Sequence, residues 1–234
     1  MKLTVLGNRG PYPTPNGACS GYLLESEKTH ILIDCGTGVL AKMQRHISFS
    51  QLDAVILSHL HYDHMSDMLP MQYALQFNPR ERLRVYAPQT PTDVRALLDV
   101  PAYVLRGMED RQIGDMSVRF FPGRHPVESW AMRIECDGRT FVYTGDTNET
   151  DGLADFARDA DLLLADAGLS EEEWSEKSPH LSALGCGRLA KAANVKQLLL
   201  THLNPRYDPK QLEAQAQRAF EHTQFCARGE SYEI

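Results

Sequence analysis

The chain has 234 residues, 42% of them hydrophobic and 8% aromatic, enough to bury a sizeable core in one large domain or two small ones. Its formal net charge of −7 excludes long-range attraction to a polyanion unless basic residues cluster locally, so bulk nucleic-acid binding is not expected. No apolar run approaches the ~20 residues of a membrane span, so no membrane partner is expected either.

The opening run Met1–Gly7 is too short in its apolar part for a signal peptide and leads straight into strand-like sequence. Leu3–Leu6, Gly21–Leu24 and Ile31–Asp34 read as strands, and Gly38–His46 as a helix. A strand at Ala54–Leu57, a helix at Met65–Phe77, a strand at Leu83–Tyr86 and a helix at Pro91–Leu98 follow. Ser117–Phe121, Ala131–Glu135 and Phe141–Tyr143 are strand-like, the last two joined by a turn at Asp137-Gly138. Strands Leu162–Ala165 and Gln197–Leu200 then alternate with helices Gly152–Ala157, Ser182–Ala193 and Pro209–Phe220, the last with a proline at its start. No linker or low-complexity segment interrupts the series, so one domain over residues 1–234 is expected, with sheets inside and helices outside. Arg80, Arg82 and Arg84 alternate and read as one face of a charged edge strand. Cys19, Cys35, Cys136, Cys186 and Cys226 are odd in number and scattered, which predicts free thiols and a reducing cytoplasm.

The most informative run is His59-Leu60-His61-Tyr62-Asp63-His64, which follows the apolar Val55-Ile56-Leu57-Ser58. A loop leaving the end of a core strand is where an α/β protein places its ligands. Imidazole and carboxylate suit a borderline divalent metal when no thiolate is offered. The pattern recurs: Phe141-Val142-Tyr143-Thr144-Gly145-Asp146 and Leu198-Leu199-Leu200-Thr201-His202 also run from an apolar strand through small residues to a ligand. His125 follows a strand as well, whereas His30, His46 and His222 lack this context and read as structural. His59, His61 and His125 could hold one metal, Asp63, His64 and His202 a second, and Asp146 could bridge them. Zinc fits such a shell first, with manganese and iron as alternatives.

These residues, in this order, resemble the metallo-β-lactamase superfamily over the length of the chain, with Leu32-Ile33-Asp34-Cys35-Gly36-Thr37-Gly38 matching its strand and glycine turn. The resemblance implies an α/β fold, a four-layer αββα sandwich with a dinuclear site at one edge of two sheets, and a homodimer. His180-Leu181-Ser182-Ala183 and Leu200-Thr201-His202-Leu203-Asn204-Pro205-Arg206-Tyr207 are similar to the C-terminal motifs of ribonuclease Z. There the histidine matching His180 serves the leaving oxygen; in this chain Asp63 and Asp146 are expected to position the attacking hydroxide. Ribonuclease Z also carries a long arm for tRNA between the positions matching His125 and Asp146. Here only Pro126–Gly145 intervenes, enough for two strands and a turn. The better match is the armless group of small phosphodiesterases. A di-iron oxygen reductase would be expected to carry glutamate at His61, and a common zinc β-lactamase cysteine at Asp146.

The expected activity is hydrolysis of a small or cyclic phosphodiester by a metal-bridging hydroxide, with Asp63 and His180 as the catalytic groups. Arg206 could hold a phosphate oxygen, Ser182 could contact substrate, and Asp166 at the end of another strand could orient His180. Alternatives are a ribonuclease Z-like endonuclease, a lactone or thioester hydrolase on the same metals, and a metal-bearing binding module. Specificity is expected to reside in the loops Leu105–Gly114 and Ser170–Pro179.

Overall fold

Two seven-stranded sheets lie face to face in the computed structural model, which describes residues 1–78 and 81–234. The strands are β1 (Lys2–Gly7), β2 (Gly21–Glu25), β3 (His30–Ile33), β4 (Ala54–Ile56), β5 (Leu83–Tyr86), β6 (Tyr103–Arg106), β7 (Arg111–Ile113), β8 (Met116–Pro122), β9 (Trp130–Cys136), β10 (Arg139–Tyr143), β11 (Leu162–Asp166), β12 (Gln197–Thr201), β13 (Thr223–Phe225) and β14 (Ser231–Glu233). The helices are α1 (Val39–Met43), α2 (Tyr62–Met65), α3 (Met68–Phe77), α4 (Thr92–Ala96), α5 (Leu153–Phe156), α6 (Ala183–Ala192) and α7 (Pro209–Gln217).

The first sheet runs β14-β1-β2-β3-β4-β5-β6 and the second β13-β12-β11-β10-β9-β8-β7. Each is antiparallel through one half, β14 to β3 and β7 to β10, and parallel through the rest. The recurrence of apolar strands that end on a ligand has a counterpart in two sheets of matching pairing pattern.

Inner strands are apolar on both faces because both faces are covered. Leu3, Val5, Tyr22, Leu24, Ile31 and Ile33 meet Met132, Ile134, Phe141, Tyr143, Leu164 and Leu199 between the sheets. The alternate residues Leu23, Leu32, Val55 and Val85 face outward and pack with Met43, Met68, Met71 and Leu75 of α1 and α3. On the far side Val142, Leu163, Leu198 and Leu200 pack with Cys186, Ala190, Leu212 and Ala216 of α6 and α7. The expected four-layer αββα sandwich is the fold observed.

Several local expectations need correction. The Met65–Phe77 helix is two helices, because Asp67 turns its carboxylate to the Gly38 and Leu40 amides and breaks the run. Tyr62, Asp63 and His64, expected in a loop, form the first turn of α2. The Leu105–Gly114 stretch is not a loop, since it contains the end of β6 and all of β7. The strand bearing Arg84 is not an edge strand, since β5 lies between β4 and β6. Arg82 donates to the Pro101 and Tyr103 carbonyls, and Arg80 lies outside the described residues. The five cysteines are free and buried. The Asp137-Gly138 turn carries positive φ at both residues, +51° and +70°, as a tight hairpin between β9 and β10 requires.

Candidate metal centre

The parallel strands of both sheets end at one edge of the sandwich, and the ligand candidates sit just past those ends. Ser58 and His59 follow β4, Asp34 follows β3, Asp146 follows β10, and His202 follows β12. A hydrogen bond from Trp130 N to Ser58 O (3.0 Å) ties the two sheets at this edge. Asp34 and His202 both have φ of +56°, a sparsely populated conformation held by the packing around each strand end.

The structure brings His59, His61 and His125 together with their ring nitrogens within 4.8 Å of one another. Asp63, His64 and His202 form a second such group. Asp146 Oδ2 lies between them, 3.6 Å from His59 Nε2, 3.4 Å from His64 Nε2 and 3.3 Å from His202 Nε2. Asp63 Oδ2 is 3.6 Å from His64 Nε2 and 3.9 Å from His202 Nε2.

The outer nitrogens explain why the inner ones face the centre. His64 Nδ1–H donates to Asp34 Oδ2 at 2.8 Å, and His125 Nδ1–H donates to Pro179 O at 2.9 Å. Ser58 Oγ gives its own proton to Asp34, so His59 Nδ1–H donates to Ser58 Oγ (3.1 Å). His202 Nδ1 lies 3.2 Å from Ser20 Oγ. In all four rings Nδ1 is committed outward and Nε2 is left for the centre. His61 differs and presents Nδ1, which lies 3.2 Å from His59 Nε2 and 3.1 Å from His125 Nε2.

Two glycines allow this closeness. A Cβ on Gly10 would fall 1.9 Å from the His202 ring, and one on Gly36 would fall 1.9 Å from Asp63 O.

Asp34, assigned no role from the sequence, is the hub of the surrounding hydrogen bonds. It is fully buried and accepts from Ser58 N (2.7 Å), Ser58 Oγ (2.9 Å), His64 Nδ1 (2.8 Å) and Tyr143 OH (3.0 Å). A second residue the sequence did not reveal is Asn148, also fully buried. Its Nδ2 donates to Ser175 O and Ser178 O, and its Oδ1 accepts from Trp174 Nε1. It therefore pins the loop that supplies Pro179 O to His125 and leads into His180.

Burial pushes the imidazoles of His59, His61, His125 and His202 down, His61 to about 4, so they are neutral and available as donors. Burial opposes charge on His64 too, but Asp146, Asp63 and Asp34 outweigh it and hold that ring up. Burial likewise disfavours the Asp146 carboxylate, yet His202, His64 and His59 hold it well below the usual range. Asp63 goes the other way, raised by burial with Asp146 adding to it.

Among the described residues His64 Nε2 and Asp146 Oδ1 are buried with no hydrogen-bond partner. Buried polar atoms are normally satisfied, and a divalent cation supplies what both lack. The donor set of imidazoles and carboxylates fits such a cation, which would take the place of the His64 Nε2 proton.

His180 Nδ1–H donates to Asp166 Oδ2 at 2.8 Å, and Asp166 is anchored by the Thr147 and Gly168 amides. The His180 ring stacks on His202 with centroids 5.0 Å apart and stands 5.4 Å from His125. Burial works against its charge, but Asp166, with Asp146 adding to it, raises its pKa to about 9. Burial pushes Asp166 up to about 6, and the two groups together form an imidazolium–carboxylate pair at neutral pH.

Two sequence expectations fare differently. Ser182 caps α6: its hydroxyl accepts from Gly185 N and donates to Glu171 Oε2, and it is only 2% exposed, so it does not face substrate. Arg206 spends its guanidinium on Glu173 and stacks over Tyr207 rather than extending a free fork.

Residues 29–203 match the beta-lactamase superfamily domain. The "Probable metallo-hydrolase YhfI" of Bacillus subtilis is 35% identical over 212 residues, 87% of each chain, and its crystal structure superposes with a TM-score of 0.94 over 99% of both chains. Ribonuclease Z of Archaeoglobus fulgidus is 28% identical and aligns with 95% of this chain and 94% of its own. A diphosphatase of the PhnP family, 16% identical, shares the fold with a TM-score of 0.76 over 100% of this chain and 96% of that one. On the match across most of its length, and on the strand ends and His/Asp clusters described above, the chain belongs to the metallo-β-lactamase superfamily.

Proposed function

We propose that this metal-dependent hydrolase cleaves small or cyclic phosphodiesters as a single 1–234 domain. Two divalent ions, zinc foremost, are assigned to His59, His61 and His125 on one side and Asp63, His64 and His202 on the other, with Asp146 shared. Such ions lower the pKa of water and polarise phosphoryl oxygens. Asp63 and Asp146 orient the attacking water, and Asp63 is the proton acceptor.

The observation that carries the reading is His180, an imidazolium held by buried Asp166 beside the His/Asp clusters. Its Nδ1 is committed to Asp166, which leaves Nε2–H to protonate a departing alkoxide. A thioester, whose thiolate leaves without a proton, would make no use of it. Two of the similar proteins are named for phosphate-bond chemistry, ribonuclease Z and diphosphatase. A tight β9–β10 hairpin occupies the position where the resemblance puts the tRNA arm, which favours small substrates over RNA.

Five buried free thiols support a reducing, cytoplasmic setting. Among the described residues no helix is long and apolar enough to cross a membrane. The exposed aromatics Tyr62, Tyr73 and Phe77 on α2 and α3 support the expected homodimer.

The test pairs metal content per chain with bis(p-nitrophenyl) phosphate turnover before and after chelation. Near two metals, with turnover lost on stripping and restored by zinc, is the expected result. His180→Ala should keep its metal while kcat falls ~10²–10⁴-fold; an unchanged kcat would remove His180 from the mechanism. Turnover of lactones or thioesters without phosphodiester turnover would replace the substrate class.

A further inference from the structure

Away from the metal centre, a cavity of about 480 Å³ is lined by Lys42, Arg45, His46 and Arg228 together with the Asn16-Gly17 turn. Two of the cations are anchored on that turn. Lys42 Nζ donates to Gly17 O at 2.9 Å, and Arg228 Nη1 donates to Asn16 O. Among the described residues no carboxylate forms an ion pair with Lys42, Arg45 or Arg228.

Composition does not account for this gathering, since acidic residues outnumber basic ones 31 to 24. Basic residues at the end of a helix complement its dipole, which would explain Lys42 in the last turn of α1. It does not explain Arg228, which comes from the β13–β14 turn. Burial, then Arg228 and Arg45, push the Lys42 pKa down, and Asp67 opposes them only in part. Like charges held together in the free protein are relieved by an anion placed between them. Guanidinium forks match phosphate oxygens two at a time, and an ammonium adds a compact third charge.

We propose that Lys42, Arg45 and Arg228 form a second, anion-binding site that takes a small phosphate-bearing compound. The site does not depend on the substrate class assigned to the metal centre. The cavity is larger than a single orthophosphate needs, so a diphosphate or a phosphorylated small molecule is the fitting class. The Asn16-Gly17 turn belongs to the segment whose other end places Gly10 against His202.

The test uses crystals of the metal-loaded protein soaked in tungstate, a phosphate mimic located by its anomalous signal. The expected result is a peak between Arg45 and Arg228, distinct from any peak at the metal centre. In Arg45→Gln/Arg228→Gln that peak should vanish while the metal-centre peak, if present, remains. In solution, one phosphate-binding event seen by calorimetry should weaken at least tenfold in the same variant, with its thermal midpoint showing that it is folded. No peak in the wild type, or binding unchanged in the variant, would overturn the proposal. Lys42→Gln, which alters one cation and leaves both arginines, provides a second reading of the same loss.

Discussion

Four imidazoles at the centre turn Nε2 inward because Nδ1 is already spoken for, and that arrangement places much of the site's design in its neighbours. Asp34 is the clearest case. Its partners lie 24, 30 and 109 residues away in sequence, so no local motif could assign it, although it stood inside the recognised strand-and-glycine turn. The ligand candidates were legible because His59 to His64 are adjacent in sequence and the others each close an apolar strand. Asp34→Asn keeps the shape but points an amide at donors. Metal affinity should fall ~10–100-fold, measured by competition with a chromogenic chelator. His180 offers a prediction with a definite sign. Its pKa is raised, mainly against burial by Asp166, so the protonated form is present at low pH and is lost as pH rises through that value. Asp166→Asn removes the carboxylate, so the alkaline limb of the kcat profile should move to lower pH, while the acid limb stays. An unmoved alkaline limb would separate Asp166 from the acid step.

At the scale of elements, the inner strands and the helices were legible from their apolar runs, and the edges were not. β7, β13 and β14 are three residues long with a single strongly apolar side chain each, too little for a period to show. α1 starts after Gly38, whose φ of +89° no helix tolerates, and ends at Met43 rather than His46. Such boundaries are set by single side chains and backbone turns, not by pattern. The stretch after β11, expected as a loop, carries one short 3-10 turn at Glu171–Glu173 and is otherwise irregular, and its anchor was invisible in the sequence. Asn148 sits just past Asp146 and satisfies three backbone carbonyls of residues 175–178. Asn148→Ala should leave Ser178 O unpaired, since Glu176 O keeps Arg124 and Ser175 O keeps the Ser178 amide, and should loosen the loop and lower kcat with metal content retained. Limited proteolysis checks this: cleavage near Ser175–Ser178 should accelerate in the variant and not in the wild type.

For the whole molecule, two sheets of matching pairing pattern put their parallel strand ends on one edge, and each of the two His/Asp clusters there draws residues from both. Neither sheet alone could surround Asp146, which draws His59 and His64 from one and His202 from the other. The exposed faces of α2 and α3 bear on the proposed dimer. Tyr73 and Phe77 are 60% and 83% exposed, unusual for aromatics on a lone surface. Tyr73→Ser/Phe77→Ser should convert a dimer to a monomer by sedimentation, and a wild type that sediments as a monomer would remove the dimer.

The pairing of β1 has a kinetic side. It lies between β2 and β14, with Lys2 opposite both Glu25 and Glu233. Loop-closure entropy grows only logarithmically with length, so the distant pairing costs little more at equilibrium than a near one. Time is another matter. During synthesis one margin of the first strand stays open until residues 231–233 leave the ribosome, with Leu3 and Val5 beside it. A nascent chain stalled short of that point would expose a bare strand edge able to pair with its neighbours on the same message, so this high-contact-order join makes the docking of residues 231–233 the step that ends that edge's exposure to aggregation.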